Sequence, residues 1–471
     1  MPPTKALGSC FTQYYASGPS ARYLLQSLTQ QQHILLLFFL VIFLSHCKTK
    51  NKNANTQYFN TSLQYCKTVK QLNNVVLSNN FSPVVASRNY AYATIAAYEV
   101  IAAADTNYKS LALQIKHLPV IKKPDTTNVD IYLATLFAFC KVGEAVTFPE
   151  GSMQTYVAAI KQQADSVGFS SQKIKATKIF ADSIANQILA WSKKDHYLQL
   201  RTATKYAVTD ADDRWRPTPP MYAQAVEPHW MEMRNIIMDS SSECMPPRPP
   251  VFNIKNKSSA YYKAALEVKN VGLQLTQEQK DIALFWDDNP FKLNVIGHVN
   301  YATKKFSPPG HWLNIIGIVA QQANYNFKQT VAVYAHTAIA LYDAFICSWD
   351  EKYRSNTTRP QTIIQKFIDP NWEPFIQTPP FPSYTSGHAT VSAAVAEVLT
   401  FYMGNALAFK DTSLVEFGIA PRSFANFKTA ANEASSSRLY GGIHFIHDNE
   451  AGKLSGEKLG KLVVKRISTF K

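Results

Sequence analysis

Apolar residues recur at spacings of three and four positions along most of the chain, which is the pattern of helices that bury one face. The period-2 alternation typical of strands is scarce. Ten helices are predicted, at 89–105, 130–142, 152–167, 174–194, 258–273, 276–286, 311–322, 327–349, 389–403 and 422–438. The sequence therefore predicts an all-α protein built from helical bundles.

Prolines interrupt this helical pattern in two places. The stretch 201–250 contains PTPP and PPRPP, and 369–382 is a second Pro-rich loop. Proline inside a helix removes a backbone hydrogen bond and clashes with the preceding turn, so both stretches are expected to be irregular. The predicted parts after residue 46 are a polar N-terminal segment, an N-terminal helical region with a Pro-rich connector, and a C-terminal helical domain, at 47–88, 89–255 and 256–471.

The continuous apolar run at 34–44 (ILLLFFLVIFL) has the length of a signal-peptide core and is shorter than the roughly 20 residues of a membrane span. Cys47 and a polar stretch follow it, which resembles a bacterial lipoprotein signal with Cys47 as the lipid anchor. His46 departs from the small residue expected before that cysteine. We therefore expect residues 1–46 to be a signal peptide of secretory or lipoprotein type. The protein is expected to be periplasmic or anchored in a bacterial envelope.

Composition and charge fit a folded chain with an anionic ligand. Apolar residues make up 46% of the chain and charged residues 17%, which excludes extensive disorder. The formal net charge is +15, a bias that favours anionic partners or serves only solubility. The cysteines after residue 47 form no C-x-x-C pair, which argues against a thiolate metal site.

Three short motifs in the last third of the chain carry the candidate chemistry. The first is a lysine separated by six residues from Arg-Pro, the second is PSYTSGH before an Ala-rich helix, and the third is SR-x5-H-x3-D. Arginine offers planar donors that match tetrahedral oxyanions, and a helix N-terminus presents free N–H groups to an anion. Together the motifs predict an anion-binding cage formed by Lys352, Arg359, Ser386, Gly387, His388, Arg438, His444 and Asp448.

The two histidines of this cage suit different tasks. His388 is expected at a helix N-terminus beside the anion, where it would serve as a general acid. His444 and Asp448 are four residues apart. A carboxylate there would hold the imidazole in one tautomer and leave its other nitrogen free as a nucleophile or ligand. Each motif alone is commonly a solvated loop, a helix cap or a surface ion pair, whereas all three in this order indicate a site.

In combination, the motifs resemble the signature of the type 2 phosphatidic acid phosphatase and vanadium-dependent haloperoxidase superfamily, which is K-x6-RP, PSGH and SR-x5-H-x3-D. The one departure is Thr385, where the family motif has proline. Threonine can still cap the following helix, so we expect this substitution to adjust the properties of the site without abolishing it.

This resemblance implies a role for each residue. His388 would be the acid–base residue. His444 would be the nucleophile of a phosphatase or the axial vanadium ligand of a peroxidase, oriented by Asp448. His447 is expected to have no role. The oxygens of vanadate or phosphate would be bound by Lys352, Arg359, Ser386, Gly387 and Arg438.

Finer similarities favour the haloperoxidase branch, with the site in the C-terminal bundle. Relatives that hydrolyse membrane lipids carry several transmembrane helices, and no apolar run after residue 44 is long enough for one. Trp349 and Phe381 stand where chloroperoxidases carry pocket aromatics. The segments FWDDNP at 285–290 and PGHW at 309–312 also resemble this branch.

Those two segments are expected to line the entrance of the site. Asp287 or Asp288 is expected to pair with Arg438.

The leading interpretation is a vanadium-dependent haloperoxidase that oxidises halide with hydrogen peroxide at a vanadate anchored by His444. The alternative is an acid phosphatase of the same superfamily that hydrolyses phosphate monoesters through a phosphohistidine, because vanadate and phosphate are tetrahedral analogues. A non-catalytic anion-binding protein is disfavoured by the complete set of cage residues. The expected partners are small molecules, either halide and peroxide or a phosphate ester, and not nucleic acid.

Overall fold

The computed structural model describes residues 57–290, 292–296 and 299–470, so the predicted signal peptide and Cys47 lie outside the described residues. Helices dominate the described part, and the prediction of an all-α fold is confirmed. The helices are α1 (Ser62–Ser78), α2 (Pro83–Ala104), α3 (Ile131–Ala145), α4 (Gln154–Ser166), α5 (Ser171–Ser192), α6 (Tyr197–Leu200), α7 (Ala260–Leu273), α8 (Gln277–Phe285), α9 (Pro308–Gln322), α10 (Phe327–Ser355), α11 (Pro360–Phe367), α12 (Gly387–Met403), α13 (Phe427–Tyr440) and α14 (Ile446–Arg466).

The described residues also contain two small antiparallel hairpins. In the first hairpin, β1 (Lys292–Ile296) pairs with β2 (Val299–Thr303). In the second, β3 (Phe409–Asp411) pairs with β4 (Arg422–Phe424). The strand β4 occupies the start of the helix predicted at 422–438. The helix begins later because Asn426 caps it and forms a capping box with Thr429.

The long helix α10 is the centre of the fold. It packs against α2, α12 and α14. Among the described residues, α10 alone is long and apolar enough to cross a bilayer, but its apolar window is entirely buried inside the protein. Burial on all sides explains this hydropathy, since a helix that is apolar all round belongs in a core.

Four helices have no counterpart among the predicted ones: α1, the four-residue α6, α11 and α14. Helix α1 lies in the range expected to be a polar N-terminal segment, yet it buries residues such as Tyr65 and Leu72. In α14 the apolar pattern is diluted by Gly452, Gly456 and Gly460, which recur every four residues. These glycines face α12, and the prediction missed α14 because glycine is a poor helix former.

Close packing of α14 on α12 depends on those glycines. A Cβ atom at Gly456 would stand 2.1 Å from the carbonyl oxygen of Thr390, and one at Gly452 would stand 2.6 Å from that of Ser386. Real side chains do not approach so closely, so only glycine permits this helix pair. The pair brings the start of α14 beside the start of α12, where two of the sequence motifs meet.

The Pro-rich connector is irregular, as predicted, with two short 3-10 helices. Its backbone is bound to the C-terminal half: Val226 N donates to the carbonyl oxygen of Pro380 at 3.0 Å, and Trp215 N donates to that of Asn356 at 3.1 Å. The described residues from 57 onward belong to one compact unit. The connector therefore covers the C-terminal helices and does not separate two compact bodies at residue 255.

Candidate active site

Residues of the second and third sequence motifs line a cavity of about 40 Å³, and Arg359 of the first motif contacts His444 in its wall. The contributing elements are the starts of α2 and α9, the loop after α8, the last turns of α10, the loop before α12, the first turn of α12 and the turn between α13 and α14. Sites for drug-sized ligands measure roughly 300–1,000 Å³, so this cavity suits a small inorganic ion. Its lining includes Asp287, Asp288, Trp349, Phe381, Gly387, His388, Arg438 and His444.

Lys352 fixes the loop that precedes α12. Its buried Nζ donates to the carbonyl oxygens of Pro382 at 2.9 Å and Ser383 at 3.0 Å, and also to that of Thr385. Burial and the neighbouring Arg359 lower the pKa of Lys352 well below its usual range. Three acceptors nevertheless require the ammonium form, because a neutral amine has only two N–H groups. All three N–H groups of Lys352 therefore donate to backbone carbonyl oxygens in this structure. The resemblance instead predicts that Lys352 binds the oxygens of the anion.

Arg359 is a fully buried guanidinium behind His444. Its Nε donates to the carbonyl oxygen of Phe381 at 2.8 Å, and its Nη1 donates to that of Ile443 at 2.9 Å. Its Nη2 is buried and has no partner among the described residues. Burial lowers the pKa of Arg359 to about 9, so the side chain remains charged at neutral pH.

His444 presents an unprotonated nitrogen to the site. Its Nδ1 lies 2.9 Å from Oδ2 of Asp448, and its Nε2 lies 3.1 Å from Nη1 of Arg359. The carboxylate holds the proton on Nδ1, so Nε2 carries a lone pair, which accepts a hydrogen bond from Arg359 Nη1 in this structure. Burial and the charge of Arg359 hold the pKa of His444 well below its usual range. The imidazole is therefore neutral and suited to act as a nucleophile or a metal ligand.

Asp448 is itself held in place by neighbouring donors. Its Oδ2 accepts from Ser383 Oγ at 2.6 Å and from Phe445 N at 3.2 Å. Burial raises its pKa, but the hydrogen bond from His444 and the nearby His447 outweigh this and lower the pKa to about 2. Asp448 is therefore ionised throughout the physiological range.

His447 also faces Asp448, although the resemblance gives it no role. Its Nε2 lies 3.4 Å from Oδ1 of Asp448, and its ring stacks on Phe445 with 5.1 Å between centroids. His447 is not part of the cavity lining among the described residues. It is therefore a neighbour of the carboxylate and not of the anion site.

The N-terminus of α12 forms one wall of the cavity. Ser386 is the N-cap, with its Oγ 3.4 Å from Ala389 N, and its own N–H donates to the carbonyl oxygen of Asp448 at 3.0 Å. Gly387 follows as the first helical residue and lines the cavity. A methyl group at Gly387 would meet the ring of Trp349 at 3.5 Å, an ordinary contact distance, so packing alone does not demand glycine there. The positive end of the helix dipole favours an anion at this wall.

His388 and Arg438 both line the cavity. Burial and the charge of Arg438 lower the pKa of His388 to about 4, so its ring is neutral at pH 7. Nη1 of Arg438 donates to the carbonyl oxygen of Trp286, while its Nε is buried without a partner in the described part of the chain. Nε2 of His388 lies 3.6 Å from Oδ2 of Asp288, slightly beyond hydrogen-bond distance.

Asp288 directs its carboxylate to two histidines. Its Oδ1 lies 2.9 Å from Nδ1 of His311, and its Oδ2 faces His388. Both Asp287 and Asp288 also act on Arg438 through their charge, which opposes the lowering of its pKa by burial. Asp287 or Asp288 was expected to pair with Arg438. The structure gives Asp288 an electrostatic interaction with Arg438, while its two oxygens face the imidazoles of His311 and His388.

His311 was expected to line the entrance with its PGHW segment, and the structure corrects that prediction. The residue is fully buried behind Asp288, with its second ring nitrogen 2.9 Å from Oδ2 of Asp411. Asp411 lies 100 residues further along the chain, on β3. No sequence spacing indicates such a contact, so sequence reasoning had no signal for it.

The two pocket aromatics pack against each other beside the cations. The rings of Trp349 and Phe381 lie 4.9 Å apart, and Trp349 Nε1 donates to the carbonyl oxygen of Val226 at 3.1 Å. Phe381 lies 5.1 Å from Nζ of Lys352 and 5.0 Å from the guanidinium of Arg359. These rings exclude water from the cations and so strengthen their field in the cavity.

Comparison with known proteins identifies relatives of this site and fold. A family model described as the VCPO second helical-bundle domain matches residues 332–470, which include all three motifs. A crystal structure described as the first bacterial vanadium-dependent iodoperoxidase is 38% identical, with a TM-score of 0.83, and the match covers 87% of this chain and 98% of that one. No curated protein sequence gives a match.

More distant structures share the fold. The apo and holo forms of a bacterial vanadium-dependent chloroperoxidase are each 15% identical to this chain, with TM-scores of 0.60 and 0.59. The matches cover 82% and 90% of this chain and 94% and 97% of the other chains. At this identity the likeness extends to the arrangement of helices alone.

Proposed function

Because this chain belongs to the vanadium-dependent haloperoxidase family and is therefore an enzyme, we propose that it oxidises halide ions with hydrogen peroxide at a vanadate bound beside His444. The observation that carries the proposal is the neutral Nε2 of His444 among buried cationic donors. The small cavity there is lined by the first turn of α12 and by His388. This is the arrangement of donors that a tetrahedral oxyanion needs.

The residues present fit a bound vanadate. Arg359 Nη2 and Arg438 Nε are buried donors that lack a partner among the described residues. Leaving a charged donor buried and unpaired is costly, and an oxyanion would satisfy both groups. His444 would hold the metal through Nε2, with its tautomer fixed by Asp448. When bound, vanadate would act as a Lewis acid that activates peroxide.

The side chains around this position have separate tasks in the proposed reaction. Arg359, Arg438 and the N-terminus of α12 would stabilise negative charge on the oxygens of the bound oxyanion. Lys352 would hold the preceding loop so that Ser386 keeps its capping position. His388, which is neutral in the free protein, would accept and return a proton at its ring nitrogen.

Iodide is the halide that we propose as the first substrate. The relative described as an iodoperoxidase shares 38% of its residues with this chain over nearly its whole length. Iodide is also more easily oxidised than bromide or chloride. Phe381, which lines the cavity, offers no hydrogen bond to an incoming anion.

A paired assay on purified protein tests the proposal. Iodide, bromide and chloride oxidation are measured with added vanadate and peroxide, and hydrolysis of a phosphate monoester is measured without vanadate. We expect halide oxidation that depends on vanadate and disappears in His444→Ala. Ester hydrolysis without any halide oxidation would contradict the proposal and support the phosphatase alternative, in which His444 attacks phosphorus.

Export of the protein is a separate proposal that rests on residues 34–44 and on Cys47. We propose that the mature chain begins at or near Cys47, in the periplasm or with a lipid anchor. Mass spectrometry of protein from its native host provides the measurement. An intact N-terminus at Met1 in a cytoplasmic fraction would contradict it.

A further inference from the structure

A chain of buried charged groups extends from His388 away from the cavity. Its members are Asp288, His311 and Asp411, each at most 2% exposed. They come from the loop after α8, from the first turn of α9 and from β3. Nothing in the reaction proposed above uses His311 or Asp411, yet His311 lies two contacts and Asp411 three contacts from the acid–base residue.

The geometry around His311 requires a charged ring. Nδ1 lies 2.9 Å from Asp288 Oδ1, and Nε2 lies 2.9 Å from Asp411 Oδ2. A neutral imidazole has one N–H, so it cannot donate to two carboxylates at once. Burial lowers the pKa of His311, but the two carboxylates outweigh burial and raise it to about 10.

The two carboxylates differ in what their second oxygen contacts. Asp411 Oδ1 accepts from Ser413 N at 2.8 Å, which anchors it to the hairpin. Asp288 Oδ2 is buried without a hydrogen-bond partner, and the atom facing it is Nε2 of His388 at 3.6 Å. The two unpaired atoms face each other across a gap that is slightly too long for a hydrogen bond.

Other charges around Asp288 and His388 come from the neighbouring elements. Arg438 on α13 acts on both, and Asp287 acts on His388 and on Arg438. The rings of Phe285 and Trp286 cover His311, with centroids 5.3 and 4.8 Å from its ring, so water is kept from the ion pairs. Asp288 is therefore held by its contact with His311 and attracted by the charge of Arg438.

We propose that His311, anchored by Asp411, is a positioning residue for His388. The imidazolium binds one oxygen of Asp288 and thereby directs the other oxygen at the ring of His388, which keeps that ring in one orientation toward the cavity. His311 touches neither the anion nor the substrate, so it acts only through Asp288 and His388. This inference rests on the proposed function for the role of His388, and its tests include measurements that need no turnover.

The first test is the charge state of His311 in protein without vanadate. Ring nitrogen resonances are recorded by NMR between pH 6 and 9 and assigned by their loss in His311→Gln. We expect both ring nitrogens of His311 to stay protonated throughout this range. His336 is the matched control, since it is an equally buried histidine whose Nδ1 lies 2.7 Å from Tyr402 Oη, and its ring should stay neutral. A neutral His311 ring at pH 7 would overturn the proposal.

The second test is a double-mutant cycle on vanadate affinity. Vanadate is titrated calorimetrically into wild type, His311→Gln, His388→Ala and the double variant, with circular dichroism as a check of folding. We expect His311→Gln to weaken vanadate about three- to tenfold, as for residues coupled in one network. In the His388→Ala background the same change should have less than about a twofold effect. Equal effects in both backgrounds would show a purely structural role and overturn the proposal.

Control variants distinguish a positioning role of His311 from a purely structural one. His336→Gln removes a buried histidine whose ring contacts Tyr402 and does not line the cavity, so it should leave vanadate affinity unchanged. If His311→Gln does not fold, Asp411→Asn replaces it in the cycle, because it removes the negative charge that anchors the imidazolium of His311 and keeps the shape of the side chain. The expected coupling between His311→Gln and His388→Ala in vanadate affinity could be found in a protein that does not oxidise halide. That result would contradict the proposed function and leave this inference standing.

Discussion

At the scale of single residues, the neutral imidazole of His444 is the group on which the proposed chemistry depends. Asp448 holds its proton on Nδ1 at 2.9 Å, and Arg359 lies beside its Nε2. His444→Ala should abolish halide oxidation and any ester hydrolysis. It should also weaken vanadate by about 100-fold or more, since even residues that only orient metal ligands contribute 10–100-fold.

His447→Ala is the matched comparison for that variant. His447 approaches the other oxygen of Asp448 at 3.4 Å but lies outside the cavity lining. We expect vanadate affinity to change less than about threefold, because the ring only assists a carboxylate that has three other contacts. Calorimetric titration of both variants measures the difference, and equal losses would show that the roles of His444 and His447 are wrongly assigned.

Lys352 gives a prediction in which the structure changes the expectation from sequence. The resemblance predicts mainly weaker anion binding on loss of Lys352, but its ammonium holds three buried carbonyl oxygens of the loop. Lys352→Met should lower the free energy of unfolding by about 3 kcal/mol even without vanadate, since buried carbonyls lose their partners. Denaturant unfolding provides the measurement. The exposed Lys410 is the control, and Lys410→Met should change stability by less than about 0.5 kcal/mol.

At the scale of elements, the contact between α12 and α14 sets the geometry of the site. It brings Ser386 N within 3.0 Å of the carbonyl oxygen of Asp448, which joins the capping residue to the residue that orients His444. Glycine makes this possible, because any side chain at Gly456 would overlap the backbone of α12. The cage thus depends on the spacing of two helix axes as well as on its own side chains.

Gly456→Ala tests this dependence. The added methyl group would meet the carbonyl oxygen of Thr390 at 2.1 Å and force the helices apart. We expect a loss of stability of about 3 kcal/mol, at the upper end of the usual cost of overpacking, and weaker vanadate binding. Thermal unfolding and calorimetric titration measure the two effects. Leu454→Ala, on the exposed face of the same helix, should change neither, and a stable Gly456→Ala with normal affinity would contradict this account.

At the scale of the whole molecule, buried ionisable groups outside the site make stability depend on pH in opposite directions. Burial lowers the pKa of His336 to about 3. Between pH 6.5 and 3 the unfolded chain therefore binds a proton that the folded protein does not, and His336 reduces stability as the pH falls. Burial raises the pKa of Glu99 to about 7, so between pH 4.5 and 7 Glu99 reduces stability as the pH rises.

Two variants separate these contributions from those of all other groups. The unfolding free energy of His336→Gln minus that of wild type should increase as the pH falls from 6.5 to 4. The same difference for Glu99→Gln should increase as the pH rises from 4.5 to 7. Each change should reach a few kcal/mol, since one pKa unit corresponds to about 1.4 kcal/mol. Denaturant unfolding at pH 4.5, 5.5 and 7 checks both, and a pH-independent difference would contradict the buried charge states.

The sequence by itself determined the features that depend on near neighbours along the chain. Helical periodicity predicted the all-α fold, because amphipathic spacing is a local signal. The pair of His444 and Asp448 was readable for the same reason, since residues four apart share one helix face or turn. The order of the three motifs was sufficient for the family, as the comparisons confirm.

Only the tertiary structure decided the contacts between distant segments. The partners of Lys352 are carbonyl oxygens some 30 residues away, and Asp411 reaches His311 across 100 residues. Helix α14 was missed because its glycines weaken the local helical signal, and their purpose appears only where α12 packs against them. The local sequence pattern determines which secondary structure a segment can form. Burial and charge pairing depend on which segments come into contact, and those contacts exist only in the folded chain.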